Sequence, residues 1–168
     1  MEMSRPVEIS VRGHVVTDSP GNWFVVRVAL RYDPEADPRA VHLVFPGGTE
    51  WVFSRDLLEA GLLTPQRSGD VGVWPCGRAQ AVLEFHSAHG VAVVQFDKAP
   101  LLRFLGRTHE ARAQETRALE ARALEARAKE ARAQEVRAKE ARTDEGHPLK
   151  ARTREEAPHA VGHGGPPR

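Results

Sequence analysis

The sequence predicts an α+β protein: a β-rich domain over residues 1–108, a charged helix over 109–144 and a disordered tail over 145–168. Three observations predict it. Short runs alternating apolar and polar residues recur up to about residue 96, separated by turn formers, as antiparallel strands require. From Glu110 the chain repeats every five residues. Beyond Gly146 it is rich in glycine and proline.

The clearest strand is residues 23–32, where Phe24, Val26, Val28, Leu30 and Tyr32 alternate with positions that include Arg27 and Arg31. Similar, shorter patterns cover 9–16, 41–45, 51–53, 71–74, 82–85 and 91–96, giving seven strands. Turn residues separate them at 18–22, 33–38, 46–48 and 89–90. One short helix interrupts the series, with Ser54 as N-cap, Asp56 favouring the positive end of the dipole and Gly61 as the stop. Its Leu57, Leu58 and Leu62 face the sheet. A second helix starts near Ala99 and Pro100, because proline is tolerated in a first turn. It buries Leu101, Leu102, Phe104 and Leu105, the domain's last strong anchors.

Seven consecutive pentads run from EARAQ at Glu110 to EARTD ending at Asp144. Alanine, glutamate, arginine and lysine are strong helix formers, so this block reads as a helix roughly 52 Å long. Arginines at 112, 117, 122, 127, 132 and 137 each precede a glutamate by three residues, while Glu125–Lys129 and Glu135–Lys139 are four apart. At about 0.2–0.5 kcal/mol each, such pairs support a helix without a core. Five residues advance about 140° around a helix, so Leu119 and Leu124 diverge and no coiled-coil seam forms. The expected helix is therefore self-supporting and exposed. The glycine- and proline-rich remainder reads as disordered.

Charge bounds the partners. Residues 1–108 carry 11 basic and 12 acidic side chains and the remainder 13 and 11, without the concentrated basic surface of a nucleic-acid binder. Cys76 is the single cysteine, which excludes an internal disulfide, points to a structural thiol at least partly buried and fits a reducing cytoplasm. No apolar run has membrane-spanning length, and the first residues lack a signal-peptide pattern.

The search for chemistry ends in structural readings, with neither a catalytic constellation nor a cofactor or metal site. Asp33, Glu35 and Asp37 alternate like the start of a calcium loop. Pro38 stands where the glycine is required and Val44 where the bidentate glutamate belongs, so this is a polar turn. Ser54, Asp56 and eight histidines lack the glycine-flanked elbow of a hydrolase. Residues 46–49 lack the lysine of a phosphate loop.

The blocks VALRYDPEADPRAVHLVF, EWVFSRDLLEAGLLTP, SGDVGVWP and APLLRFLGRT, in that order over about residues 7–108, resemble the SsgA-like proteins of sporulating actinobacteria. The motif residues are Leu30, Arg31, Tyr32 and Asp33, then Trp51, Phe53, Arg55 and Asp56, then Gly69, Asp70, Val71, Trp74 and Pro75. The resemblance implies a small β-barrel-like fold similar to Whirly proteins, a homo-trimer and no enzymatic activity. It implies a cytoplasmic regulator of sporulation-specific division that acts at the septum with other SsgA-like proteins and recruits the tubulin-like FtsZ. A single-stranded nucleic-acid binder with a Whirly-like sheet and a wall-remodelling regulator with another protein partner are the alternatives. Bland readings of the same residues make Trp51 and Trp74 core or interface aromatics, and Asp33, Gly69 and Asp70 turn formers. Arg39 and Ser54 depart from the family's usual aromatic and alanine, and the pentads are foreign to its short members.

Overall fold

The computed structural model describes residues 5–17 and 24–146. The tail predicted over 145–168 lies outside them from residue 147, as do Trp23 and the whole turn over 18–22. In order the elements are β1 (Val7–Val16), β2 (Phe24–Tyr32), β3 (Ala40–Val44), β4 (Glu50–Ser54), α1 (Arg55–Gly61), β5 (Gln66–Ser68), β6 (Val71–Cys76), β7 (Gln80–Ser87), β8 (Gly90–Asp97) and α2 (Lys98–Asp144).

All eight strands form one antiparallel sheet in the order β4-β3-β2-β1-β8-β7-β6-β5. Two four-stranded meanders, each followed by a helix, therefore meet at β1 and β8, where Gly13 lies opposite Phe96 and Val15 opposite Val94. A Cβ at Gly13 would come within 2.7 Å of the Val94 side chain, so glycine is required at this seam. The sheet curls into a half-barrel. Phe85 of β7 lies 5.1 Å from Trp51 and 6.4 Å from Phe53 of β4 between ring centroids, although four strands separate β7 from β4.

The alternation read from the sequence selects the inner face. Val28, Leu30 and Tyr32 of β2, Val41 and Leu43 of β3, and Leu83 and Phe85 of β7 are essentially solvent-free. Eight strands replace the seven expected, because Gln66, Arg67 and Ser68 of β5 are all exposed and carry no apolar alternation. Their pairing to β6 through a two-residue Gly69–Asp70 turn holds them in the sheet.

Helix α1 spans the interval between β4 and β5. Ser54 Oγ accepts from the Leu57 N–H at 3.2 Å, and Leu57, Leu58 and Leu62 are buried as their spacing required. Gly61 is the last residue of the helix, and glycine is needed there for a reason absent from the capping pattern: a Cβ would lie 2.4 Å from the Val73 Cβ of β6. Along α2, Leu101, Phe104 and Leu105 are buried but Leu102 is 53% exposed, since the stripe continues instead through Thr108, Ala111 and Glu115. The anchors thus run past Leu105 by almost three turns. Cys76 is exposed, against the expectation of a buried thiol, because it stands at the hairpin end of β6 opposite Gln80.

The chain divides into two compact units, Met1–Ala123 and Leu124–Arg168. In the second, every described residue is exposed, so its helix rests on propensity and local charge. Glu125 and Lys129 close at 3.2 Å, the one pentad ion pair within 4 Å among the described residues. Exposed pairs of this kind exchange with solvent and contribute little each. Ala131→Pro is expected to cost about 3 kcal/mol of local helix stability and to lower the helical circular dichroism. The urea midpoint reported by tryptophan fluorescence should not move, because Trp23, Trp51 and Trp74 all precede residue 123.

Candidate functional site

The motif residues of greatest chemical interest meet where β2 ends and α1 begins. Tyr32 closes β2 with its ring turned to the inner face, opposite Val7 of β1. Its hydroxyl donates to the Pro38 carbonyl at 3.1 Å, pinning the loop after β2. That loop is shaped by Asp33, whose Oδ1 accepts from the Glu35 and Ala36 N–H groups at 2.9 and 3.0 Å. Asx turns of this kind are the usual work of aspartate at a strand end. The Arg55 N–H then donates to the Arg39 carbonyl at 2.8 Å, tying the start of α1 to the end of the same loop.

Arg55 is 5% exposed and sets its guanidinium 5.7 Å from the Tyr32 ring centroid. A cation over an aromatic face is favourable, the more so when desolvated. Its Nε and Nη1 are nevertheless buried without a hydrogen-bond partner among the described residues. Burial pushes the Tyr32 phenol above its ordinary value of 10.0, and the positive charges of Arg55 and Arg112 oppose that rise. A phenol whose pKa is raised by folding adds stability that is complete below the unfolded value and is lost as pH rises through the folded one. Tyr32 is the only tyrosine in the chain. The tyrosinate absorbance of the folded protein should therefore titrate in one step above pH 10, returning to the ordinary midpoint in urea; a folded midpoint at or below 10 would contradict this burial.

Beside Tyr32 a groove of about 330 Å³ opens at the ends of β1 and β2. Its walls carry Glu8, Asp33, Asp37 and Glu50 against a single arginine, Arg31, on a floor that includes Pro6, Val7 and Ala36. Arg31 Nε holds Glu8 at 3.1 Å, and His42 Nδ1 lies 2.7 Å from Glu50. Glu8, His42 and Glu50 were not singled out in the sequence. The signal was present only as register, because His42 faces Arg31 and Arg31 faces Glu8 across neighbouring strands.

The other motif residues lie elsewhere. Leu30 is core. Trp51 is half-buried and packs on Phe85, in a cluster that Phe45 joins edge-on at 5.6 Å. Asp56 is exposed in the first turn of α1. Gly69, with φ of +57°, opens the β5–β6 turn, and the Asp70 carbonyl accepts from the His86 N–H at 2.8 Å. Trp74 is half-buried on the outer face of the sheet, opposite Val82 and beside Gly72. The corner thus gathers Tyr32, Asp33 and Arg55, with Arg31 on the rim, and leaves the rest as scaffold or as separate surface. Among the described residues no group of three or more metal-ligating side chains converges, and no helix is long and apolar enough to cross a membrane.

Comparison with known proteins bears on the same stretch. Residues 26–116, from β2 through the buried stripe of α2, match the family described as "Streptomyces sporulation and cell division protein, SsgA". The sporulation-specific cell division protein SsgB of Kineococcus radiotolerans is 41% identical over 109 residues, which are 60% of this chain and 64% of that protein. The solved structure from a study of SsgB mutations and longitudinal cell division in sporulating Streptomyces coelicolor superposes with a TM-score of 0.59 at 39% identity, covering 64% of this chain and 86% of the other. The SsgA-like sporulation-specific cell division protein of Thermobifida fusca gives 0.61 at 26% identity, covering 76% and 98%. The pentads from residue 117 onward lie outside the family match.

Proposed function

Because the chain belongs to the SsgA family of sporulation and cell division proteins, we propose that it is a noncatalytic adaptor that helps position FtsZ at septum sites during sporulation. The observation that carries this reading is the family match itself, which covers the half-barrel from β2 onward and with it Tyr32, Asp33 and Arg55. The names of its relatives supply the process, cell division during sporulation. The corner supplies a surface suited to protein contact: a groove with an apolar floor and an excess of carboxylate on its walls favours a partner segment bearing basic side chains.

The assembly belongs to the same proposal. The chain acts as a homo-trimer together with other SsgA-like proteins, and analytical ultracentrifugation should return three times the 18.5 kDa chain mass. Residues 1–108 form the family module and 109–144 a charged helical spacer. Nothing in the charge balance calls for nucleic acid, since the chain carries a formal net charge of +1. A fluorescent fusion in sporulating hyphae is expected to form ladders that coincide with FtsZ rings on the cytoplasmic side of the septum. Diffuse fluorescence through septation would overturn the reading.

A further inference from the structure

The pairing of β2 is uneven. On one side β1 accompanies it along its whole length, from Phe24 opposite Val15 to Tyr32 opposite Val7. On the other side β3 pairs only with Ala29, Leu30 and Arg31, because the chain turns away at Phe45, whose N–H bonds to the Thr49 carbonyl. Residues Phe24, Val25, Val26 and Arg27 therefore present an open edge, with no backbone bond to any described segment besides β1. Exposed edges are templates for strand pairing, and native proteins usually shorten, charge or cover them. This one instead reads Phe-Val-Val-Arg, rich in residues of high β propensity, and Phe24 and Val25 are 54% and 60% exposed.

Charge says what covers it. On the outer face Arg27 stands directly opposite Arg12 of β1, and both are exposed. Like charges in that relation, about 5 Å apart at Cβ, are destabilising. Neither arginine has a carboxylate within salt-bridge distance among the described residues, whereas Arg31, two rows along, has Glu8. We propose that the open edge of β2 is a strand-addition site for an extended partner peptide that alternates apolar and acidic side chains. Main-chain bonds to residues 24–27 supply affinity, as in other strand-addition complexes. Acidic side chains then lie beside Arg27 and Arg12 on the outer face, while apolar ones meet Phe24 and Val26 on the other. A second copy of this chain fits less well. Two-fold pairing through β2 would gather four arginines, and a four-residue edge spans only about 14 Å, too little to build the roughly 800 Å² per partner of a stable interface. The inference goes beyond the proposed function, since it rests on strand pairing and charge and holds whichever protein supplies the peptide.

The test is fluorescence anisotropy of the full chain with a labelled peptide of three valine-glutamate repeats, beside a counterpart with lysine for glutamate. The acidic peptide should bind at least tenfold more tightly, and amides within Phe24–Arg27 should gain protection from hydrogen exchange when it is bound. Arg27→Glu should reverse the preference. That variant places a carboxylate opposite Arg12 and so keeps the fold, which circular dichroism checks. Equal or absent binding of both peptides, protection confined to other strands, or an unchanged preference in Arg27→Glu would overturn the proposal. So would concentration-dependent protection of these amides in the free protein, which would assign the edge to a second copy. An oligothymidylate that displaces the acidic peptide through the same arginines would assign them to phosphates and overturn it too.

Discussion

Phe85→Ala is expected to destabilise the first unit by about 3–5 kcal/mol, read as a lower urea midpoint of tryptophan fluorescence. Phe85 is 1% exposed, and its ring is where β7 meets Phe45, Trp51 and Phe53 at the far end of the sheet order. Truncation would remove buried surface and leave a cavity that several aromatic neighbours cannot fill without shifting strands. Domains of this size are stable by about 5–15 kcal/mol, so the variant should be marginal at room temperature. Trp51 is 5.1 Å from the lost ring, so its emission should shift even before unfolding. A loss under about 1 kcal/mol would mean that the curl of the half-barrel does not depend on this cluster.

Gly61→Val carries the second large effect, about 3 kcal/mol, from overpacking rather than from a cavity. The added Cβ would meet the Val73 Cβ at 2.4 Å, its Cγ1 at 2.5 Å and its carbonyl oxygen at 3.0 Å, so backbone as well as side chain must move. Relief can come only by lifting α1 from β6. Since α1 begins at Arg55, the same displacement would disturb the contact with Tyr32 and withdraw a positive charge that opposes the rise of its pKa. An unchanged urea midpoint would show that α1 is not held as closely as the geometry implies.

Much of this was legible in the sequence, for identifiable reasons. Period-two alternation marked β2 because Val28, Leu30 and Tyr32 all face one buried side. Ser54 and Asp56 announced α1 because helix starts are local. What could not be read depended on contacts distant in sequence. The strand at 66–68 has no apolar residue and is held only by its partner β6. Leu102 was misplaced because the stripe of α2 follows the half-barrel through Thr108, Ala111 and Glu115, none of them a strong apolar anchor. Gly61 read as a stop, yet it is there for the approach of Val73. At the corner, the family resemblance pointed to Tyr32, Asp33 and Arg55, but the groove is lined also by Glu8, His42 and Glu50, which reach it only through strand register. The solvent-facing helix beyond Leu124 was expected as such, since five-residue spacing builds no seam, although only one of its anticipated ion pairs closes.

Co-sedimentation of the purified full chain with polymers of an actinobacterial FtsZ tests the adaptor reading most directly. The chain should pellet with the polymers and alter their assembly. The doubly substituted Asp37→Lys, Glu50→Lys chain, which reverses two charges on exposed walls of the groove, should pellet several-fold less while keeping its circular dichroism. A chain that stays in the supernatant and leaves FtsZ assembly unchanged would contradict the account.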